Sequence, residues 1–323
     1  MSDILVEGRK LSKVFPAPRR QCVYAVTDVS LELHRGETLG LVGESGCGKS
    51  TLGRMIMHLI PPSSGEILIR GTDVTGLKDA EFMKYRRQLQ MVFQDPYASL
   101  NPRMTVRDLI AEPLETYRMH PSREETTRHV LELMETVGLP GEYLYRFPHQ
   151  FSGGQRQRIA IARAIAPDPE AVVCDEPVSA LDVSVQNQIL NLLKKLQQAR
   201  GLAYLFISHD LSVIRYIAVR TMVMYLGKVC ETGPTEEVFR GPLHPYTRFL
   251  TASVPVPDPH RREERTQLLS GEMPSPMNPP AGCRFHTRCP LATERCRREE
   301  PALRRVGGRS VACHEVQISA TGE

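Results

Sequence analysis

"GESGCGKST" spans Gly43 to Thr51, between the apolar run "TLGLV" and the run "LGRMIMHLI". A glycine-rich loop therefore joins a predicted strand to a predicted helix. In that context the stretch has a chemical reading. The backbone of Gly43, Glu44, Ser45, Gly46, Cys47 and Gly48 can curl so that consecutive N–H groups face phosphate oxygens. Lys49 reaches the β and γ phosphates, Ser50 supplies a hydroxyl to Mg²⁺, and Thr51 follows it into the helix. A plain glycine turn ahead of a helix would account for the glycines but not for the lysine and hydroxyl beside them. The stretch predicts an α/β fold with a nucleotide at a strand–loop–helix junction.

Working outward, "AVVCDEP" is a second apolar run that ends in charge. It delivers Asp175 and Glu176 to a strand end, where Asp175 can hold Mg²⁺ through water and Glu176 can orient or deprotonate a water. "VSVQNQILNLLKKLQQARG" reads as a helix with a glycine stop, and "LAYLFISHD" as another buried strand. Strand, helix and strand with apolar runs predict a parallel sheet. "ILVEG", "VSLEL" and "GEILIRG" read as further short strands, and residues 104–166 have helical spacing. After about residue 235 the chain turns proline-rich ("GPLHPYTRFL", "SVPVPDPHRREE", "MPSPMNPPAG"), which predicts an extended arm.

The 323 residues carry 41 basic and 37 acidic side chains. That near balance gives no support to a whole-protein nucleic-acid footprint. "MSDILVEGRK" has charges where a signal peptide would have an apolar core, and "AYLFISHDLSVIRYIAVRTMVMYLG" is broken by His209, Asp210, Arg215 and Arg220. These features predict a cytosolic or peripheral protein, in which clustered cysteines read first as metal ligands.

"FSGGQRQRIAIARA" (151–164) is, by itself, a capped helix start with small residues and an anion-binding N-terminus. With "GESGCGKST" before it and "CDEP" after it, it resembles the ABC ATPase signature. The resemblance implies two subunits packed head to tail, with Ser152, Gly153, Gly154 and Gln155 of each closing on the ATP of the other. Gln94 in "MVFQDP" then matches the Q-loop, beside Mg²⁺ and the γ-phosphate. Asp182 in "SALD" matches the loop at the dimer seam, and His209 in "LFISHD" the histidine that contacts the γ-phosphate. Adenine would stack on an upstream aromatic: Phe15 fits best by distance from the following strands, and Tyr24 is the alternative. The implied fold is α/β, a P-loop ABC ATPase with a RecA-like core, an antiparallel β subdomain and an α-helical subdomain at about 103–166. The ATPase domain would cover 1–240 and a proline-rich, Cys-rich C-terminal extension 241–323.

"DPYASLNPRMTV" (95–106), "FPHQFSGGQRQRIAIARA" (147–164) and "GPLHPYTRFLTASVPVPDP" (241–259) are similar to the oligopeptide/dipeptide importer ATPases, more to the second of the paired subunits than to the first. This implies a second ABC ATPase subunit, two transmembrane permeases and an extracytoplasmic peptide-binding protein, with this chain peripheral on the cytoplasmic face of the inner membrane. Phe151, Gln150 and Cys47 depart from the common pattern, and Cys47 predicts a site sensitive to thiol reagents. A related importer for another small solute, such as a nickel complex, would use a similar chain. A soluble ABC ATPase acting on nucleic acid is disfavoured by the compact spacing of the motifs, the single ATPase unit and the lack of a basic arm with interleaved aromatics.

The tail spacing Cys283-x5-Cys289-x6-Cys296-x16-Cys313 fits the close pairs of structural zinc poorly. Four thiolates match the ligand count of a [4Fe–4S] cluster, which the resemblance also implies. Iron–sulfur, zinc and free thiols all stay open on spacing alone. The expected role is a metal clip on an arm with little core of its own.

Overall fold

The computed structural model describes residues 4–18, 21–253 and 272–316. In chain order its strands and helices are β1 (Ile4–Ala17), β2 (Gln21–His34), β3 (Thr38–Val42), α1 (Lys49–Ile56), β4 (Ser64–Ile69), β5 (Thr72–Asp73), α2 (Asp79–Arg86), β6 (Leu89–Val92), α3 (Pro96–Ser99), α4 (Val106–Thr116), α5 (Arg123–Thr136), α6 (Gly153–Ile165) and β7 (Ala171–Asp175). There follow α7 (Val183–Arg200), β8 (Ala203–Ser208), α8 (Leu211–Ile217), β9 (Arg220–Tyr225), β10 (Lys228–Pro234), α9 (Thr235–Arg240), α10 (Pro245–Ala252), α11 (Glu294–Arg298), β11 (Arg304–Val306) and β12 (Arg309–Val311). Two compact units interleave along the chain. One takes the start of β1, residues 33–37 and residues 69–205; the other takes the rest of β1 to residue 32, residues 38–68 and the described residues from 206 onward.

In the first unit β6 and β7 run parallel, from Leu89 opposite Ala171 to Val92 opposite Cys174. Every residue of β7 is buried, which is why its sequence is apolar until Asp175 ends it. The helical spacing of 104–166 becomes α4, α5 and α6. Thr105, Ser122 and Ser152 cap them, each side chain accepting from a backbone N–H in the first turn and so satisfying a donor the helix itself leaves unused. On α4, Val106, Leu109, Ile110 and Leu114 are buried, the three-and-four spacing of one helix face. Arg163 of α6 donates to the carbonyl of Ser99 at 3.0 Å and to Glu112 of α4 at 2.6 Å, tying the end of α3 to the helical group.

In the second unit β3 lies parallel to β9, from Leu39 opposite Arg220 to Val42 opposite Val223. Helix α8 packs so closely over β3 that a Cβ on Gly40 would sit 2.7 Å from Ile214 and 2.9 Å from Ala218. Strand β10 pairs antiparallel with β9, β12 with β10, and β11 with β12. In a separate sheet β1 lies between β2 and β4. Lys10 donates to Ser30 and Asp28 to Ser12, so β1 and β2 run in opposite directions. The short strands expected here are in fact two strands of 14 residues each. Cross-strand pairing carries them through the polar residues that broke the pattern in sequence.

The C-terminal part corrects two expectations. "GPLHPYTRFL" is not extended: Pro245 opens α10 at its first position, where a missing N–H costs nothing. The proline-rich residues 254–271 lie outside the described residues. Nor does the extension lack a core. Tyr246, Phe285 and Val311 are at most 1% exposed, and the Phe285 ring centroid lies 5.1 Å from Tyr225 and 5.4 Å from Tyr246. The fully buried carboxylate of Glu231 accepts from the backbone N–H groups of Leu243 and His244 and pairs with Arg309 at 3.3 Å. One group thus joins β10, the turn before α10 and β12.

His244 is 2% exposed, and its Nδ1 accepts from Tyr246 N–H at 3.0 Å. Burial lowers its imidazole from 6.5 to about 3. The folded state therefore keeps His244 neutral where the unfolded chain takes up a proton. This stabilisation is whole above pH 6.5 and is lost as pH falls from 6.5 towards 3. By pH 5 the loss is about 2 kcal/mol, at about 1.4 kcal/mol per pH unit. Urea midpoints at pH 7 and pH 5 check this: the wild-type decline is expected to shrink in His244→Gln, and an equal decline in both would remove His244 as its source.

Candidate nucleotide site

The second unit holds the phosphate loop between β3 and α1. Gly43, Gly46 and Gly48 have φ of 154°, 80° and 104°, a region side chains rarely adopt. A Cβ at Gly48 would also collide with the carbonyl of Ala25, and one at Gly43 with the carbonyl of Met224. Lys49 is 4% exposed, and its ammonium donates to the carbonyls of Gly43 at 2.7 Å and Glu44 at 3.0 Å. Ser45 and Gly46 are exposed, and Ser50 and Thr51 half-buried at the start of α1. The loop thus presents backbone N–H groups and one cation to an anion.

Cys47 is fully buried, and burial pushes its thiol up from its ordinary value despite the nearby Lys49. Both features disfavour and cover the reactive thiolate, which argues against the expected sensitivity to thiol reagents. Of the two aromatics, Phe15 lies beneath the Lys13 ammonium, 5.1 Å away. Tyr24 is 38% exposed and directly precedes Ala25, the residue against which Gly48 packs. Tyr24 is thus the aromatic next to the phosphate loop. His209 is exposed and follows the last residue of β8, and the adjacent Asp210 caps α8 by accepting from Ser212.

The first unit holds the carboxylates. Asp175 is 3% exposed at the end of β7. Glu176 follows with φ 46°, a strained setting for a residue with a side chain. The Gln94 amide donates to the Glu176 carboxylate at 3.1 Å, so β6 and β7 bring these two predicted residues together. Ser152 and Gln155 form a capping box at the start of α6, and Gly153 and Gly154 make its first turn. A side chain at Gly154 would collide with Val185 of α7, which explains the second glycine. Asp182 accepts from the Ser184 hydroxyl at 2.7 Å and from the N–H groups of Ser184 and Val185, bonds that lower its carboxyl below its ordinary value. The structure gives it the work of capping α7. Arg156, unremarked in sequence, stacks 3.6 Å over Tyr97 and donates to Pro148, linking the signature helix to the segment after Gln94.

All eight cysteines are free. Among the described residues no group of three or more His, Cys, Asp or Glu is placed to hold a metal ion, and this includes Cys283, Cys289, Cys296 and Cys313, the expected [4Fe–4S] or zinc ligands. Burial pushes the thiols of Cys289 and Cys313 up, and that of Cys283 to about 11. Packing and hydrogen bonds hold the tail. Phe285 sits in its aromatic cluster, and Arg304 donates to the carbonyls of Cys313 and Val316, both at 2.7 Å.

Among the described residues no helix is long and apolar enough to cross a membrane. Residues 26–179 match the family model described as ABC transporter, and residues 230–296 the one described as oligopeptide/dipeptide transporter, C-terminal region. The chain is 52% identical over 293 residues to the oligopeptide transport ATP-binding protein OppF of Escherichia coli, covering 90% of this chain and 88% of that one. It is 52% identical over 297 residues to the di/tripeptide transport ATP-binding protein DppF of Pseudomonas aeruginosa, covering 91% of each. Among solved structures it is similar to the ATP-binding cassette MJ0796 in a dimeric post-hydrolysis state bound to ADP and Pi. There the TM-score is 0.66 at 32% identity, over 72% of this chain and 99% of that one.

Proposed function

The chain belongs to the ABC transporter family and is an ATPase, and from that premise we propose that it powers a peptide importer from the cytoplasmic face of the membrane. The match of residues 230–296 to the oligopeptide/dipeptide C-terminal region carries this choice of cargo. A cassette alone would serve many cargoes.

In this proposal residues 1–240 form the ATPase domain and residues 241–323 the extension. Lys49 and the N–H groups of residues 43–51 bind the phosphates, and Tyr24 rather than Phe15 stacks on adenine. Ser50, Gln94 and Asp175 are oxygen donors of the kind Mg²⁺ prefers. Glu176 orients or deprotonates the attacking water, with Gln94 holding its carboxylate and His209 acting at the γ-phosphate. The segment 152–155 closes on the ATP of a second ATPase subunit, Asp182 lies near that seam, and closure drives two permeases fed by an external peptide-binding protein.

Cells whose only copy is Lys49→Ala are expected to lose uptake of a labelled tripeptide while uptake of free amino acids continues. Undiminished tripeptide uptake would remove peptide as the cargo and make nickel uptake the next assay.

A further inference from the structure

Glu44 is an awkward residue for a phosphate loop, because its carboxylate stands where polyphosphate charge must arrive. The second unit holds it from three sides. Nη1 of Arg288 lies 3.1 and 2.9 Å from its two carboxylate oxygens, the Tyr246 hydroxyl accepts its N–H at 2.9 Å, and Lys49 donates to its carbonyl at 3.0 Å. Two of these groups, Arg288 and Tyr246, come from beyond residue 240, and the ion pair closes a sequence gap of 244 residues. The Arg288 side chain is only 8% exposed and also reaches the Tyr225 hydroxyl at 3.4 Å. Its backbone is fixed by a turn, Arg288 N–H to the Phe285 carbonyl at 3.0 Å, and Phe285 is the buried centre of the aromatic cluster. Two further contacts lay the extension along the same loop. Pro276 accepts from Tyr24 N–H at 3.0 Å, and a Cβ at Gly46 would meet the Met273 methyl at 3.6 Å.

We propose that Arg288 is a positioning residue for the nucleotide: it neutralises and orients Glu44, so that the C-terminal extension completes the phosphate site of its own chain. A carboxylate left unpaired there would repel a bound triphosphate through a partly buried medium, where charge interactions are several times stronger than in water. The guanidinium fits the task because it keeps its charge when buried. The penalty for losing it grows with the charge of the ligand, which separates this role from that of a simple staple holding the tail.

The test uses the full-length chain and equilibrium binding of Mg-ATP and Mg-ADP, with wild-type binding as the control. It does not depend on peptide or permeases, so its failure is distinct from failure of the importer reading. Arg288→Gln is expected to weaken ATP about tenfold and ADP less. Adding Glu44→Gln to Arg288→Gln is expected to restore ATP affinity to within about twofold, because the uncompensated charge is gone. Arg288→Lys, which keeps the charge, is expected to retain most of the affinity. The proposal is overturned if Arg288→Gln binds ATP as the wild type does, if the double variant stays as weak as the single one, or if Arg288→Lys falls as far as Arg288→Gln. A staple role would give the second of these results, since the ion pair is still missing in the double variant. Should Arg288→Gln fail to fold, the lysine variant and the folded double variant decide the matter.

Discussion

Glu176→Gln is expected to abolish turnover and leave ATP binding intact. The substitution keeps the volume and one acceptor oxygen, so the Gln94 amide, 3.1 Å from the carboxylate in the wild type, retains a partner. What disappears is the negative charge that can accept a proton from water. Removing a positioned general base typically slows a reaction 10²- to 10⁴-fold. The phosphate loop is built from other residues, between β3 and α1 and at the start of α1, so affinity is not expected to follow. Phosphate release under saturating ATP, together with a binding isotherm, checks both halves. Near-normal hydrolysis would remove Glu176 from this role, and a parallel loss of binding would show that the change had disturbed more than the base.

Gly48→Ala is the second large effect, and here binding itself is expected to fail. At φ 104° an L-residue is strained, and the added methyl would run into the carbonyl of Ala25, which is backbone and cannot rotate aside. The loop must shift, and with it the N–H groups that face the phosphates. Strain of this kind is about 1–2 kcal/mol before any clash is counted. Adding the clash with backbone and the misplaced donors gives an expected loss of about 100-fold or more in ATP affinity. Gly46→Ala is the control: it also has positive φ, 80°, but its added methyl would meet only Met273 at 3.6 Å. Its loss is expected to be clearly smaller, and equal losses in the two variants would mean that strain alone, not the Ala25 contact, sets the effect.

The phosphate loop was legible because its chemistry is local. The glycines, Lys49 and Ser50 lie within a few residues, and each has a reason visible in the sequence. The strand end with Asp175 was legible because a fully buried strand must be apolar until it meets solvent. Arg288 was not legible. It sits in "FHTRC" with nothing to distinguish it from the other arginines of the tail, and its partner is 244 residues away. The choice between Phe15 and Tyr24 was not legible, because distance along the chain is a poor guide once β1 and β2 run on as strands of 14 residues each. The cysteine tail was legible only as a count: spacing gives four thiols but not their surroundings, and Cys296 and Cys313 are buried while Cys283 and Cys289 are half-buried. Asp182, expected at a seam, also serves as a helix cap, a use that short polar side chains before helices commonly have.

The ladder between β10 and β12 sets a timetable for the newborn chain. Glu231 pairs with Val311, about 80 residues later, so β10 leaves the ribosome well before the strand that covers it. At synthesis rates of about 5–20 residues per second this interval lasts roughly 4–16 seconds. Throughout it the outer side of β10 offers an open row of N–H and C=O groups to any passing strand, and Glu231 lacks Arg309. The residues that seal this side of β10 are thus made long after the strand they cover, and the newborn chain is most exposed to wrong pairing during that gap.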